Sequence, residues 1–307
     1  MMTAYVARRL LAAIPVAWGV VTIVFLVIHL TPGDPVEIML GENATAASRA
    51  ALRRELGLDR PVALQYLAFL GGAASGDLGR SLYTRKGVFE SVMERYPATV
   101  ELALAAMALA IVIAVPLGVA AAARRGGAVD RGAMALSLLG VSMPSFWLGP
   151  MLIIVFSIWL GWFPVSGRGG IESLVLPAVT LGAAMAAILS RLTRSSMIEA
   201  LGEDFITTAR AKGAREAAIL FRHALRNALL PVVTVAGLQL GGLLAGAIIT
   251  ETIFAWPGVG RLTIQAIQAR DYPLAQGCVL AIALSYVFVN LAVDVLYAAV
   301  DPRIRRR

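Results

Sequence analysis

The chain has 307 residues, of which 59% are hydrophobic and 15% are charged, and its formal net charge is +8. Soluble domains carry about 25% charged residues, so this composition excludes an ordinary soluble fold and indicates an integral membrane protein. The single cysteine, Cys278, excludes a disulfide framework and a cysteine-based zinc site. No G-x-x-x-x-G-K-[ST] sequence is present, so the chain has no phosphate-binding loop for ATP. We predict no catalytic residue, no cofactor and no bound metal.

Long apolar segments recur along the chain, and each is long enough to cross a hydrocarbon core of about 30 Å as a helix. They predict an all-α protein with six transmembrane helices in a single domain covering residues 1–307. The first segment follows Arg8 and Arg9 and is too long for the apolar region of a signal peptide, so we interpret it as a retained span. The approximate spans are 10–30, 98–122, 134–160, 174–197, 228–250 and 276–300.

Positive charge is unevenly distributed between the predicted spans. If both termini are cytoplasmic, the inward-facing segments hold sixteen Lys and Arg against six Asp and Glu, whereas the outward-facing segments are balanced. Short loops rich in Lys and Arg stay in the cytoplasm. We therefore predict a multi-pass membrane protein with both termini cytoplasmic, and the basic character reflects this topology and does not indicate a nucleic-acid partner.

Residues 31–97 form an extracytoplasmic insertion between the first and second spans. The sequence predicts a short helix that Ser48 caps and Gly57 ends. A second, amphipathic helix is predicted over 61–70, near the outer membrane surface. We interpret the insertion as a cap over the outer mouth of the protein, because it is too short to form an independent receptor domain.

The fifth span contains two glycine pairs at i, i+4 spacing, Gly237 with Gly241 and Gly242 with Gly246. A stripe of bare backbone lets another helix approach closely. The pattern leaves open whether this helix packs against a partner subunit or within the chain.

Residues 198–227, which we call the polar segment, are a charged stretch between two strongly apolar spans. A helix-forming run at 207–209 precedes Gly213, and a second helix is predicted over 215–222. Gly213 fits a position with positive φ, where glycine carries no steric penalty, or a simple helix stop. An ordered polar stretch of this length indicates that a partner in the water holds it. The alternative is an ordinary basic loop held at the membrane by its charge.

Two further features lie near the ends of spans five and six. The sequence WPGVG at 256–260, which we call the glycine turn, predicts a rigid turn, and its tryptophan suits an interfacial anchor. Asn290 and Asp294 lie one helical turn apart in span six. Because a carboxylate within a membrane usually faces protein or water, we expect Asp294 to have a structural partner near the cytoplasmic face.

Several stretches, in order along the chain, resemble those of one family, the dipeptide, oligopeptide and nickel branch of ABC-importer permeases, and in particular its first, B-type subunit. One departure from the wider superfamily is Thr207-Thr208-Ala209 in place of Glu-Ala-Ala, and another is Arg226 in place of proline; both look usual for the peptide branch. The matching stretches are LTPGDP (30–35), GDLGRS (76–81) with PATVEL (97–102), PSFWLG (144–149), TTARAKG (207–213) with HALRNA (223–228), ETIFAWPGVGR (251–261), RDYP (270–273) and DPR (301–303).

The resemblance implies the type I ABC-importer permease fold in a bacterial plasma membrane. It also implies a non-catalytic subunit that moves di- or oligopeptides by alternating access while separate subunits hydrolyse ATP. The expected partners are a homologous second permease, two cytoplasmic ATP-binding subunits, an extracytoplasmic solute-binding protein and the lipid bilayer. Nickel chelates, glutathione and haem are alternative cargoes.

The resemblance further implies two groups of site residues. In the family, the polar segment contacts the ATPase, and the stretch around the glycine turn is an outer element beside the translocation path. The residues predicted to couple the chain to the ATPase are Thr207, Ala209, Lys212, Gly213, Ala214, Arg215, Glu216 and His223. The residues predicted to form an outer gate or docking surface are Trp256, Pro257, Gly258, Arg261, Arg270 and Asp271.

Two other classes of protein compete with this interpretation. A secondary transporter driven by an ion gradient needs buried ion-coupling carboxylates or broken helices near mid-membrane. Asp294 is the only candidate carboxylate, and the polar segment would have no explanation. An intramembrane enzyme needs paired acids or a Ser/His arrangement within the spans, and the predicted spans contain neither.

Overall fold

The computed structural model describes residues 2–30, 34–41 and 44–300. In these ranges the regular structure is helical, apart from an isolated bridge between Arg80 and Gly87. The sequence stretches at 31–33 and 301–303, together with the C-terminal arginines, lie outside the described residues. The predicted all-α fold is confirmed.

The helices follow one another along the chain with short connections. They are α1 (Met2–Leu30), α2 (Pro35–Leu40), α3 (Ala46–Glu55), α4 (Val62–Ser75), α5 (Val88–Ala123), α6 (Ala128–Ser142), α7 (Ser145–Leu152), α8 (Ile171–Leu201), α9 (Asp204–Ala211), α10 (Glu216–Ala218), α11 (Leu225–Ile253), α12 (Val259–Gln268) and α13 (Tyr272–Val300). Two π-helical stretches, Ile153–Trp159 after α7 and Ile219–Ala224 before α11, continue their neighbours.

Five helices in the described part are long and apolar enough to cross a membrane, and a sixth span results if α6 and α7 with its π-helical extension are counted together. That pair is bent by 105°, so the expectation of one continuous span over 134–160 is wrong. Met143 is extended (φ −86°, ψ 115°), because the ring of Pro144 disfavours the helical conformation at the preceding residue. The third span is therefore a broken one.

The insertion between the first two spans contains α2, α3 and α4. The cap of α3 is Thr45, whose hydroxyl accepts a hydrogen bond from the backbone N–H of Ser48 at 3.1 Å. The prediction that Ser48 caps this helix is therefore wrong by one turn, because both hydroxyl residues suit the role and only the backbone path selects one. The predicted second helix is present as α4, and Gly76 ends it in the left-handed conformation (φ 80°).

Small residues allow the long helices to approach closely in the core. A row of alanines on α5, including Ala106 and Ala110, packs against Met185 and Leu189 of α8. A Cβ at Gly182 of α8 would lie 2.7 Å from the carbonyl oxygen of Ala106. Without a strong hydrophobic force between helices in lipid, such close backbone packing is a main source of helix association.

The glycine stripes of the fifth span divide between two environments. Gly237 and Gly241 face α13, where a Cβ would meet Val293 and Tyr286 respectively. Gly242 has nothing within 4 Å of a built Cβ. The first stripe thus serves packing within the chain.

Candidate functional site

The polar segment is built from two short helices joined by a tight turn. α9 ends at Ala211, and Gly213 then adopts φ +80° while its N–H donates to the carbonyl of Arg210 at 2.9 Å. A Cβ at Gly213 would have nothing within 4 Å, so the requirement for glycine is conformational. The backbone then enters α10 and runs without a break into α11. The prediction of a helix end with a positive-φ glycine at 213 is confirmed.

One face of the polar segment is buried against the long helices. Ile206 and Ile219 are each 0% exposed, and they pack with Met197 of α8, Val119 of α5 and Ala228 of α11 in one apolar cluster. Burying two isoleucines contributes about 3–6 kcal/mol relative to leaving them in water. The segment is therefore seated on the ends of three long helices, which an ordinary loop held by charge does not require.

The other side of the polar segment is open. An ion pair between Arg210 and Glu216 bridges the two short helices at 3.0 Å, and both side chains are at least half exposed. Among the predicted coupling residues, Thr207, Lys212, Gly213, Arg215 and Glu216 are exposed, whereas Ala209, Ala214 and His223 are half-buried.

Two aromatic residues of this surface escaped the sequence reasoning. Phe221 is 60% exposed and Phe205 is 39% exposed, both within the polar segment. Aromatic side chains are enriched at protein interfaces relative to the rest of a protein surface, so these two are candidates for a partner contact. The signal in the sequence was the presence of phenylalanine in an otherwise charged stretch.

The glycine turn lies at the other end of α11, which is 29 residues long. At 1.5 Å per residue this helix separates the two regions by about 43 Å. Trp256 is 0% exposed, and its indole N–H donates to the carbonyl of Ala98 on α5 at 2.8 Å. An interfacial anchor keeps part of its ring at the membrane surface, so the anchor interpretation of Trp256 is wrong.

The Glu251 carboxylate holds the glycine turn together. It is 0% exposed; Oε1 accepts from the Thr99 hydroxyl at 2.6 Å, and Oε2 accepts from the backbone N–H of Arg261 at 2.9 Å. The same Thr99 hydroxyl accepts from the N–H of Val259 at 2.8 Å. A Cβ at Gly258 would collide with this carboxylate, so glycine is required there for space.

Other segments are attached to the same end of the molecule. The N–H of Gly167 donates to the carbonyl of Phe254 at 2.9 Å, and Arg168 pairs with Glu101 of α5 at 2.5 Å. The Arg168 guanidinium also lies 5.9 Å from the centre of the Trp256 ring, within cation–π range. The loop after the broken span is thereby fixed to the glycine turn.

The insertion after α1 is joined to the start of α13 by a buried carboxylate. Asp271 is 2% exposed and accepts from the Ser81 hydroxyl at 2.5 Å and from the backbone N–H of Leu82 at 3.2 Å. The insertion and the segment from Glu251 to Pro273 are therefore joined directly by hydrogen bonds.

The predicted gate or docking residues differ in accessibility. Trp256, Gly258 and Asp271 are buried, whereas Pro257 and Arg261 are half-buried and Arg270 is exposed. Of these six residues, Arg270 is the most accessible to solvent, and the buried members contact other parts of the chain. Sequence reasoning placed Glu251 among the external charges and missed its burial, which depends on Thr99, 152 positions away.

Asp294 has the structural partner that the sequence predicted. Its carboxylate pairs with Arg9 of α1 at 2.8 Å. The pair joins the first and last long helices. Asp294 was the candidate ion-coupling carboxylate for a secondary transporter, and here it is paired with an arginine.

These features define a class: a multi-pass helical membrane protein with a seated polar segment at one end and a hydrogen-bonded turn at the other. Residues 114–306 match the family described as binding-protein-dependent transport system inner membrane component, and residues 2–103 match the N-terminal part of such membrane components. The chain belongs to this family, in the dipeptide-type branch of the ABC-importer permeases.

Curated relatives are similar over their whole length. The chain is 46% identical to a di/tripeptide transport system permease protein of Pseudomonas aeruginosa and to a dipeptide transport system permease protein of Escherichia coli K12, with all of each chain covered. It is 44% identical to a glutathione transport system permease protein of Salmonella choleraesuis, with 98% of each chain covered.

Two solved structures share the fold at low identity. One is the inward-facing MetNI methionine ABC transporter, with 19% identity, a TM-score of 0.58, and coverage of 68% of this chain and 96% of that chain. The other is an amino acid ABC transporter, with 17% identity, a TM-score of 0.50, and coverage of 70% and 94%. The predicted type I importer fold is confirmed, and the family implies ATPase and substrate-binding partners.

Proposed function

We propose that the chain is the membrane-spanning subunit of an ATP-driven importer of di- and oligopeptides, and that it works by alternating access. The peptide cargo is supported by the full-length similarity to permeases named for di/tripeptide and dipeptide transport. Glutathione, named in a third relative, is itself a tripeptide. In this proposal the chain does no covalent chemistry, and glutathione, nickel chelates and haem are the competing cargoes.

The coupling proposal depends on one observation: the polar segment is exposed on one side and buried on the other. A partner that pushes on the exposed side moves Ile206 and Ile219, and with them the ends of α5, α8 and α11. The ATPase contact in this proposal centres on Ala211–Arg222, which includes the exposed Lys212, Arg215, Glu216 and Phe221, with Thr207 and Phe205 beside it. Closure of two ATPase subunits then displaces the long helices of this permease and of a homologous partner permease.

Transport by the assembled importer tests the function. The chain is co-expressed with the second permease and the ATPase subunits, reconstituted in liposomes and supplied with the binding protein. We expect ATP-dependent uptake of labelled dialanine that excess tripeptide inhibits. Uptake of a nickel chelate or of haem, with none of either peptide, would reject the peptide cargo. The absence of ATP-dependent uptake of any of these compounds would reject the importer proposal for this chain.

Gly213→Val tests the coupling role of the polar segment. Valine at φ +80° is strained, so we expect the turn to change and ATP hydrolysis to proceed without uptake, while the protein stays in the membrane. The matched control is Gly19→Val, since Gly19 in α1 also has nothing within 4 Å of a Cβ and has no positive φ. Normal uptake by Gly213→Val would contradict the coupling role.

We further propose that both termini and the polar segment face the cytoplasm. The native cysteine is buried, so single introduced cysteines report their own accessibility. An impermeant thiol reagent applied from outside should label positions 54 and 168 and leave positions 125 and 305 unlabelled. The reverse pattern would invert the topology.

The opposite face is proposed to receive the solute-binding protein. The exposed Arg270 and the half-buried Arg261 are the accessible cations of the 251–273 segment, and paired polar contacts suit a partner that must release in each cycle. Photo-crosslinkers at these two positions should capture the binding protein. If neither does so while the complex transports, docking lies elsewhere.

A further inference from the structure

Three contacts at successive levels join α6 to α8. Near the broken end of α6, a Cβ at Gly140 would lie 3.0 Å from the Cβ of Ala187. Next, the hydroxyls of Ser137 and Ser190 are hydrogen-bonded at 2.6 Å. At the start of α6, Asp130 meets Arg194. The two helices run antiparallel, and these contacts extend along most of α6, from Asp130 to Gly140.

The Asp130–Arg194 pair is the charged member of this series. Arg194 Nε donates to Oδ1 at 2.5 Å and its terminal nitrogen donates to Oδ2 at 2.7 Å, which is the bidentate geometry that fixes orientation as well as distance. The Arg194 and Asp130 side chains are 26% and 6% exposed, whereas those of the Arg85–Glu55 pair of the insertion are 66% and 52% exposed. Such a pair is weak evidence for stability, and its two parallel hydrogen bonds restrict how α6 and α8 are oriented where they meet.

The turn before α6 also binds the Asp130 carboxylate. Gly126 adopts φ +76°, and its N–H donates to Asp130 Oδ2 at 2.8 Å. Asp130 is the third residue of α6, where a negative charge interacts favourably with the helix dipole. The α5–α6 connection, the start of α6 and the end of α8 are thus joined at one side chain.

The position of Arg194 connects this pair to the polar segment. Met197, one turn further along α8, packs with Ile206 and Ile219 in the apolar cluster beneath that segment. A displacement of the polar segment therefore reaches the last turns of α8. At its other end, α6 leads into the 105° break before α7.

We propose that Asp130 is a positioning residue for coupling: its ion pair with Arg194 makes α6 follow α8, so that movement of the polar segment reaches the broken span. This inference rests on the proposed importer function. It assigns no contact with cargo or ATPase to either residue. Without the pair, α8 still moves with the ATPase, but the start of α6, held to α8 only through the Ser137 and Gly140 contacts further along, follows it less closely.

The test measures peptide uptake per ATP hydrolysed in the reconstituted complex, together with the thermal midpoint and membrane level of each variant. Asp130→Asn removes the charge, and Arg194→Lys keeps the charge but loses the bidentate geometry. We expect uptake per ATP to fall about tenfold for Asp130→Asn, in the range of measured coupling effects, and less for Arg194→Lys. The matched control is Asp294→Asn, which breaks the Arg9–Asp294 pair between α1 and α13 and should keep the wild-type ratio.

A distance measurement separates positioning from a merely structural role. Nitroxide labels at Leu139 on α6 and Ser195 on α8, both exposed, should keep one separation in the nucleotide-free and ATP-bound complexes of the wild type. In Asp130→Asn the separation should change between those states. If Asp130→Asn does not accumulate, Arg194→Lys is measured in the same way.

The outcomes distinguish this inference from the function on which it rests. A wild-type ratio and constant label separation in Asp130→Asn would overturn the positioning role and leave the importer proposal intact. A fall in stability with uptake and hydrolysis reduced in proportion would also overturn it. If the wild-type complex itself shows no ATP-dependent uptake, the importer proposal fails and the coupling role of Asp130 fails with it.

Discussion

The polar segment and the glycine turn lie at opposite ends of α11. They differ in whether their polar groups face solvent or are hydrogen-bonded within the chain. In the polar segment most predicted residues are exposed, and its own ion pair, Arg210–Glu216, is on the surface. In the glycine turn Trp256 is fully buried, as is Glu251 at the end of α11, and both are hydrogen-bonded to α5. Both regions contain stretches that resemble the family. The residues of the polar segment are mostly exposed, whereas those around the glycine turn are mostly buried within the fold.

A family-like stretch of sequence therefore does not show whether its residues are exposed to a partner or buried within the chain. Glycines illustrate the point, because Gly213 is required for its backbone angle and Gly258 for the space that Glu251 occupies. Substitutions at the two ends should therefore separate effects on folding from effects on coupling.

Glu251→Ala should cause the largest loss of stability. It leaves the buried Thr99 hydroxyl and the Arg261 N–H without their acceptor, which costs about 1–3 kcal/mol for each such group. We expect the midpoint of thermal unfolding in detergent to fall by roughly 5 °C or more. Glu216→Ala, at the exposed end, should change stability by less than about 0.5 kcal/mol. Equal midpoints for the two variants would break the contrast between the regions.

Gly258→Ala should have the next largest effect, because its Cβ would overlap the Glu251 carboxylate. Forcing extra volume into a packed site costs about 1–3 kcal/mol. Gly213→Ala meets open space and bears only the cost of the left-handed backbone, about 1–2 kcal/mol. Thermal midpoints measured side by side, with Gly213→Asn as a variant that tolerates positive φ, check the assignment. Gly213→Asn should recover part of the loss, and failure to do so would show that space also matters at 213.

Trp256→Phe should have the smallest effect of the three. Phenylalanine is smaller than tryptophan and leaves a small cavity at this buried site, and the hydrogen bond to the Ala98 carbonyl is lost, so we expect a cost of about 1–2 kcal/mol. Trp18 of α1 is 55% exposed, and Trp18→Phe is the control that should leave the thermal midpoint unchanged. A neutral Trp256→Phe would mean that packing alone holds the tryptophan.

Some structural features were predicted correctly from the sequence, and others were not. The sequence predicted the helix end and positive φ at Gly213, because these depend on local conformation. It also predicted a partner for Asp294, because an unpaired charge within a membrane is costly. It misplaced the cap of α3 by one turn. It also read 134–160 as one span, although PSFWLG at 144–149 begins with the proline that breaks it.

The sequence by itself determined the class: apolar runs of sufficient length specify membrane helices, and the order of the matching stretches specifies the family. Only the tertiary structure decided which of their polar groups are internal. Asp130 meets Arg194 at a separation of 64 residues, Thr99 meets Glu251 at 152, and Ser81 meets Asp271 at 190. No local pattern encodes such pairs, because a carboxylate's partner is set by which helices pack together and at what register.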